Sequence, residues 1–316
     1  MRPQVLLIDF DDTCATESWP FSCETGKLKP YAKEAINKLH DDGYYIIIWT
    51  ARFMDEHIED VKNFLTNNGV KYDKINENCP YLEYKPYPKA FGDTCIDDNC
   101  LLNIDWRFIP YYVSLRNFSN PRNNRNPLTQ LITDDMREYF YYRTINHIQR
   151  VIKFTKKFIA DIKLDETGFG KDFVEKMDFE ELYNTVIKHD SHKFSREIIV
   201  EYALLTEKMR CKFGREQFLP YMDDATRNEL SVILKQATSI HRIENKHHPD
   251  YWKFTDRTEP IDDYSLVEMC ADYCAMSEEN RNEPLDFFYS NVVSKYNFSK
   301  SEIYKFEKII EKMWRV

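Results

Sequence analysis

"VLLIDFDDTCATE", residues Val5 to Glu17, sets an apolar run against three aspartates and a threonine. Carboxylates repel one another, and each is costly to remove from water. An apolar run ending in clustered acids is therefore expected to be a buried strand that delivers them to a cation or phosphate site. In an extended chain Asp9 and Asp11 alternate with Phe10 and point to one side. Asp12 points the other way and reads as a turn residue.

The surrounding sequence repeats this strand-and-helix pattern. Tyr31 to Asp42 reads as a helix with Ala32, Ala35, Ile36 and Leu39 on one face, ended by Gly43. "YYIIIW", Tyr44 to Trp49, is a second buried strand and runs into Thr50-Ala51-Arg52. Asp55 to Asn68 is another helix, followed by Gly69. Val70 to Ile75 is a weaker strand candidate. "DTCIDDN", Asp93 to Asn99, is a third apolar strand ending in acids, and "IPYYVSL", Ile109 to Leu115, is expected as one more. Strands alternating with helices imply an α/β, Rossmann-like parallel sheet over residues 1–115 with right-handed crossovers.

"RNFSNPRNNRNP", residues 116–127, has almost nothing to bury and reads as a linker. Residues 128–316 then read as all-helical, with helices over Thr129–Lys163, Phe179–Lys188, Ser195–Cys211, Asp223–Thr238, Asp262–Met276 and Lys300–Trp314. Two domains suit a length of 316 residues.

Composition narrows the function. A net charge of −9 argues against a broad basic surface that grips long nucleic acid, though not against small anionic substrates. None of the eight cysteines forms a C-x-x-C pair, and the sequence opens on no charged-then-apolar signal segment. The expectation is a cytoplasmic protein with reduced thiols. No apolar run approaches the roughly 20 residues that span a bilayer. A homo-oligomer is compatible with the sequence.

In open parallel sheets, ligands bind beyond the carboxyl ends of the strands. Those ends carry Asp9, Asp11 and Thr13, then Thr50 and Arg52, then Asp97 and Asp98, with Lys85 and Lys89 upstream. This set offers carboxylates for a hard cation and cations for phosphate oxygens. "LIDFDDT", "IIIWTAR" and "KAFGDTCIDDN" resemble, in order, the motifs of the haloacid-dehalogenase (HAD) superfamily of phosphohydrolases over about residues 3–115. The resemblance implies that Asp9 is a nucleophile forming an aspartyl-phosphate, and that Asp11 protonates the leaving group and then activates water. It implies that Thr50 and a lysine, Lys89 or Lys85, hold the phosphoryl oxygens, beside Arg52. It further implies Mg²⁺ held among Asp9, Asp11, Asp97 and Asp98. The short intervals between motifs leave no room for a cap domain, so the site is expected to be open to a bulky phosphomonoester. Trp19 and Phe21 either stack on a base or pack under the flap after the first motif.

In the helical half, His147 lies on the stripe Phe140, Thr144, His147, Val151, Phe154 and Phe158. His189-Asp190 follows a helix, and Asp272 sits inside an apolar one with Glu268 a turn before it. The order H…HD…D resembles the HD superfamily of metal-dependent phosphohydrolases. "HDSHKF", "HRIENKHHPDYW" and "VEMCADYCAMS" also resemble an uncharacterised HD-like family of phages and bacteria. The resemblance implies a divalent transition metal or Mg²⁺ on His147, His189, Asp190 and Asp272. His247 or His248 would bind a second metal or contact phosphate, Lys193 would bind phosphate, and Glu268 would activate water. Cys270 and Cys274 share a helix face and read as core.

The leading expectation is a two-site phosphohydrolase acting on nucleotides or nucleic-acid ends. The alternatives are a single-site HAD phosphatase whose helical half is a cap, dimerisation or binding module, and a non-catalytic nucleotide-binding or host-interaction protein.

Overall fold

The computed structural model describes residues 2–16, 26–82, 90–99, 101, 104–120, 124, 126–164, 169, 171–254, 260–293 and 295–314. The chain divides into two compact units, Met1–Arg116 and Asn117–Val316.

The first unit is a four-stranded parallel sheet with helices in its crossovers. Strand β1 (Val5–Asp9) is followed by α1 (Ala32–Asp41), β2 (Tyr45–Trp49), α2 (Asp55–Asn68), β3 (Lys74–Ile75), β4 (Thr94–Ile96) and α3 (Ile109–Phe118). The sheet order is β3-β2-β1-β4. Val5 pairs with Tyr45, Asp9 with Trp49, and Ile8 with Ile96. Ile46, Ile47 and Ile48 are all fully buried, as expected of a parallel strand covered on both faces. Each contributes roughly 1.5–3 kcal/mol by leaving water. Ala32, Ala35, Ile36 and Leu39 of α1 pack into the same core as Leu6, Ile8 and Phe10. Gly43 and Gly69, just beyond α1 and α2, have φ of +91° and +69°, which a side chain would strain. Because β1, β2 and β4 run in parallel, their carboxyl ends, with Asp9, Thr50 and Asp97, share one edge of the sheet.

"IPYYVSL" is not a strand but the start of α3. Its Pro110 cannot donate to a ladder, yet it is tolerated in the first turn of a helix. Ile109 and Val113, four residues apart, reach the core together. In the Asn-rich segment after it, two described asparagines make hydrogen bonds. Asn124 Nδ2 donates to the Phe118 carbonyl at 2.8 Å, Asn126 Oδ1 accepts from Leu128 N at 3.0 Å, and Asn126 Nδ2 donates to Glu201 at 2.8 Å. Asparagine side chains mimic and satisfy backbone groups, so polarity here marks capping.

The second unit is helical: α4 (Asp134–Leu164), α5 (Lys171–Lys176), α6 (Phe179–Ile187), α7 (Ile199–Gly214), α8 (Asp224–Glu244), α9 (Pro249–Phe254), α10 (Asp263–Asn280), α11 (Pro284–Phe288) and α12 (Lys300–Trp314). The long α4 packs against α6, α7, α10 and α12. Its stripe from Phe140 to Phe158 is buried, His147 included. Cys270 and Cys274 lie in the main core, with the Phe288 and Phe306 rings stacked 3.7 Å apart between centroids. Asp178, Asp223 and Asp262 cap α6, α8 and α10, accepting from Glu180 and Glu181, Thr226, and Ser265 backbone amides. Each such cap contributes about 1 kcal/mol. Among the described residues, no helix is long and apolar enough to cross a membrane.

Candidate functional sites

At the sheet edge, Thr13 Oγ1 donates to Asp9 Oδ2 at 2.8 Å and accepts from the Asp98 amide at 3.0 Å. That hydroxyl joins the end of β1 to the turn after β4. Asp12 takes φ 58°, which turns the chain and leaves Asp9 and Asp11 as the acids of the site. Burial, and then the negative charge of Asp97, Asp11 and Asp98, outweigh the Thr13 hydrogen bond and push Asp9 up to about 6. Asp9 therefore feels the other three acids, although no three of these residues bring oxygens within 4.8 Å of one another.

Asp11 is held by Arg52: Nη2 donates to Oδ1 at 2.7 Å and Nε to Oδ2 at 3.1 Å. Arg52 is 2% exposed and lies over the Phe10 ring at 5.4 Å. Expected to bind substrate, it is turned onto Asp11. Thr50 Oγ1 also reaches Asp11 Oδ2, at 3.2 Å. The turn carrying Thr50 and Arg52 is fastened by Asn76, which accepts from Thr50 N at 2.8 Å and donates to the carbonyls of Thr50 and Arg52 at 2.9 and 3.1 Å. Asn76 is not among the residues expected at the site; its only signal in the sequence is an asparagine directly after an apolar strand. Lys85, Lys89, Trp19 and Phe21 lie outside the described residues.

In the helical unit, five separate segments converge. His147 comes from the middle of α4, His189-Asp190 from the turn after α6, His241 from the last turn of α8, His247 and His248 from the α8–α9 loop, and Asp272 from α10. Asp190 has φ 58°, an unusual conformation for a side-chain-bearing residue, at the point where its carboxylate enters the cluster. Its two oxygens face different histidines. Oδ2 lies 3.8 Å from both His147 Nε2 and His189 Nε2, whereas Oδ1 lies 3.0 Å from His241 Nε2 and 3.7 Å from His247 Nε2. Asp272 Oδ1 approaches His147 Nε2 at 3.0 Å. Lys193 Nζ, expected at phosphate, donates to Asp190 Oδ2.

Three groups of ligand atoms among the described residues could hold a metal ion: His147, His189 and Asp190; His189, His247 and Asp272; and Asp190, His241, His247 and His248. Nε2 of His247 and His248, and Nδ1 of His147, are buried without a hydrogen-bond partner. Unsatisfied buried imidazoles are costly unless something binds them, so the donor set fits a metal. His247 and His248, expected at a second metal or at phosphate, fall in the same group as His241. His241 had gone unassigned, yet its seven-residue step to His248 was visible in the sequence.

Electrostatics distinguishes the two halves of the cluster. Burial alone would lower His189, but Asp190, Glu268 and Asp272 outweigh it and raise it to about 9. Burial lowers His241 to about 4, against the pull of Asp190, and drives His248 well down. Burial would raise Glu268, yet hydrogen bonds from His189 and His247 hold it at about 2. Glu268 is therefore an ionised acceptor oriented onto two imidazoles.

A helical unit built on buried histidines and aspartates able to hold metal thus follows a small parallel α/β unit. The chain belongs to a family of unknown function, DUF5662, whose model matches residues 136–313. That span contains every histidine and aspartate of the cluster. A solved structure of a conserved protein from Bacteroides thetaiotaomicron matches with 22% identity, over 35% of this chain and 90% of its own, with a TM-score of 0.31. No curated protein matches the chain.

Proposed function

We propose that the protein is a metal-dependent phosphohydrolase of small phosphorylated substrates, nucleotides or nucleic-acid ends, working in the reducing cytoplasm. Its first unit is read as HAD-like and its second as HD-like. The observation that carries the reading is Asp190, whose two carboxylate oxygens face two separate histidine sets, an arrangement suited to one ion on each oxygen. Free cysteines throughout the described residues accord with a reducing setting.

In the helical unit, metal held by His147, His189, Asp190 and Asp272, and by His241, His247 and His248, would supply Lewis acidity and an activated water. The chain's own residues do the rest. Glu268 orients His189 and His247 through their Nδ1 atoms. Beside the cluster is a cavity of about 430 Å³, with Lys193, Arg143, Arg242 and Lys295 in its walls and Tyr202, Tyr273 and Tyr296 among them. It combines cations for phosphate with aromatic rings for an apolar or planar moiety.

In the first unit, the donor set around Asp9 suits Mg²⁺, which would offset its crowded negative charge. The Asp9 carboxylate attacks phosphorus, the P–O bond to the leaving group breaks, and Asp11 supplies a proton to the departing oxygen. Asp11 then takes a proton from water as that water displaces Asp9 and releases phosphate. Thr50 and the lysine of this segment, Lys89 or Lys85, hold the phosphoryl oxygens.

The test is phosphate release from nucleotides, cyclic nucleotides and 3′- or 5′-phosphorylated oligonucleotides with Mg²⁺ or Mn²⁺. Wild type is compared with Asp9→Asn and Asp190→Ala. Each substitution should abolish a different subset of substrates; no release from any substrate by the wild type sinks the proposal.

A further inference from the structure

The histidine–aspartate cluster opens on two cavities that share no residue. One, about 620 Å³, is lined by Asp178, Glu180, Glu181 and Glu244 and reaches the cluster at Glu268 and His247. It holds five carboxylates against two lysines, Lys188 and Lys246. The other is the cavity of about 430 Å³ that reaches the cluster at His147, Asp190, His241, His248 and Asp272. Its charged residues outside the cluster are Lys193, Arg143, Arg242, Lys295 and one acid, Asp250. The cluster therefore lies between an acidic vestibule and a basic one.

We propose that divalent cations reach the cluster through the acidic cavity, leaving the basic cavity to the phosphorylated substrate. The inference rests on the metal-dependent reading above. One observation besides the acids points to a cation. His247, at the floor of the acidic cavity, is buried and its Nε2 has no hydrogen-bond partner. Glu268, one of the five carboxylates and beside His247, lies 2.9 and 3.2 Å from the Nδ1 atoms of His189 and His247. A cation attracted by the surface carboxylates thus meets a carboxylate and an open imidazole nitrogen on its way to Asp190, which lies 3.7 Å from His247 Nε2. In the basic cavity the same ion meets Arg242 and Lys295, which have no carboxylate partner among the described residues. Like charge at that mouth repels the metal and attracts phosphate. Separate access also lets metal exchange while substrate fills the basic side.

The experiment uses the full-length protein freed of metal with a chelator. Cobalt(II) is added in a stopped-flow instrument, and the ligand-field bands of histidine-bound cobalt report association. Glu180→Gln/Glu181→Gln/Glu244→Gln, with folding checked by circular dichroism, should slow association about tenfold at low salt, the scale of electrostatic steering. The gap should close near about 1 M salt, where such fields are screened. Arg242→Gln/Lys295→Gln on the other mouth should leave the rate within about twofold, a small change against steering effects. An unchanged rate in the acidic-side variant, or a large change in the basic-side variant, overturns the route. A wild type that acquires no cobalt spectrum overturns the metal reading itself, and the route with it.

Discussion

His189 Nδ1 donates to Glu268 Oε1 across 2.9 Å, and this bond decides which nitrogen His189 presents to the cluster. With Nδ1 occupied, Nε2 faces His147 Nε2 at 3.3 Å and the oxygens of Asp190 and Asp272 at 3.8 Å. Glu268 does the same for His247. The resemblance implied Glu268 as a base for water; its geometry orients two imidazoles.

Glu268→Gln should therefore weaken metal binding by 10- to 100-fold, on the order of effects seen when a ligand's orienting partner is lost. Isothermal titration of the apo protein with Mn²⁺ or Co²⁺ measures it. Unchanged affinity would rule out the orienting role.

Metal binding should release protons at neutral pH. With His189 raised to about 9, its imidazole is protonated at pH 7 and must lose a proton to become a ligand. His241, lowered to about 4, is already neutral there and loses none. Apparent affinity should thus rise about tenfold per pH unit between pH 7 and about 9, then level off, as expected for release of one proton. Titrations in buffers of different ionisation enthalpy count the protons; a flat profile contradicts the assignment.

Arg52 positions Asp11 through two donors, a geometry that lysine cannot reproduce. Arg52→Lys should lower phosphate release from Asp9-dependent substrates by about tenfold or more, as misplacement of a catalytic group does. Combined with Asp11→Asn it should cost nothing further, because both changes act through one carboxylate. Additive losses would mean that Arg52 works on the substrate instead.

Asp9 is held at about 6 against an ordinary 3.8, so the folded state binds its proton more tightly than the unfolded chain. Stability of the metal-free protein then falls as pH rises from about 4 to about 6 and stays lower above that window. Asp9→Asn should remove the penalty and stabilise the metal-free protein at pH 7 by about 1–2 kcal/mol, after allowance for solvent screening. At pH 3.5 it should be neutral. Thermal melts at the two pH values, with chelator present, test the sign.

Much of the architecture was legible in the sequence because it follows from local periodicity. Three apolar runs ending in acids or Thr-Ala-Arg gave strands, a single buried stripe gave α1 and α4, and a nearly continuous apolar run gave α10, which is buried on almost every side. "IPYYVSL" misled because aromatic and β-branched residues suit strands, while Pro110 tolerates a helix start equally well. Within residues 116–127, only the structure shows that Asn124 and Asn126 cap and bond, because as letters such asparagines look like asparagines that float.

The sequence by itself determined that Asp9, Thr50 and Asp97 share one edge, since parallel strands put their carboxyl ends together. It also determined that His147 is buried, since a stripe at helical spacing faces a core. Only the tertiary structure decided that Arg52 clamps Asp11, that Glu268 orients two histidines, and that His241 and His247 face one oxygen of Asp190. These relations link residues up to 79 positions apart. Periodicity assigns each side chain to a face of its own element, whereas the distance between two elements is set by how their cores pack.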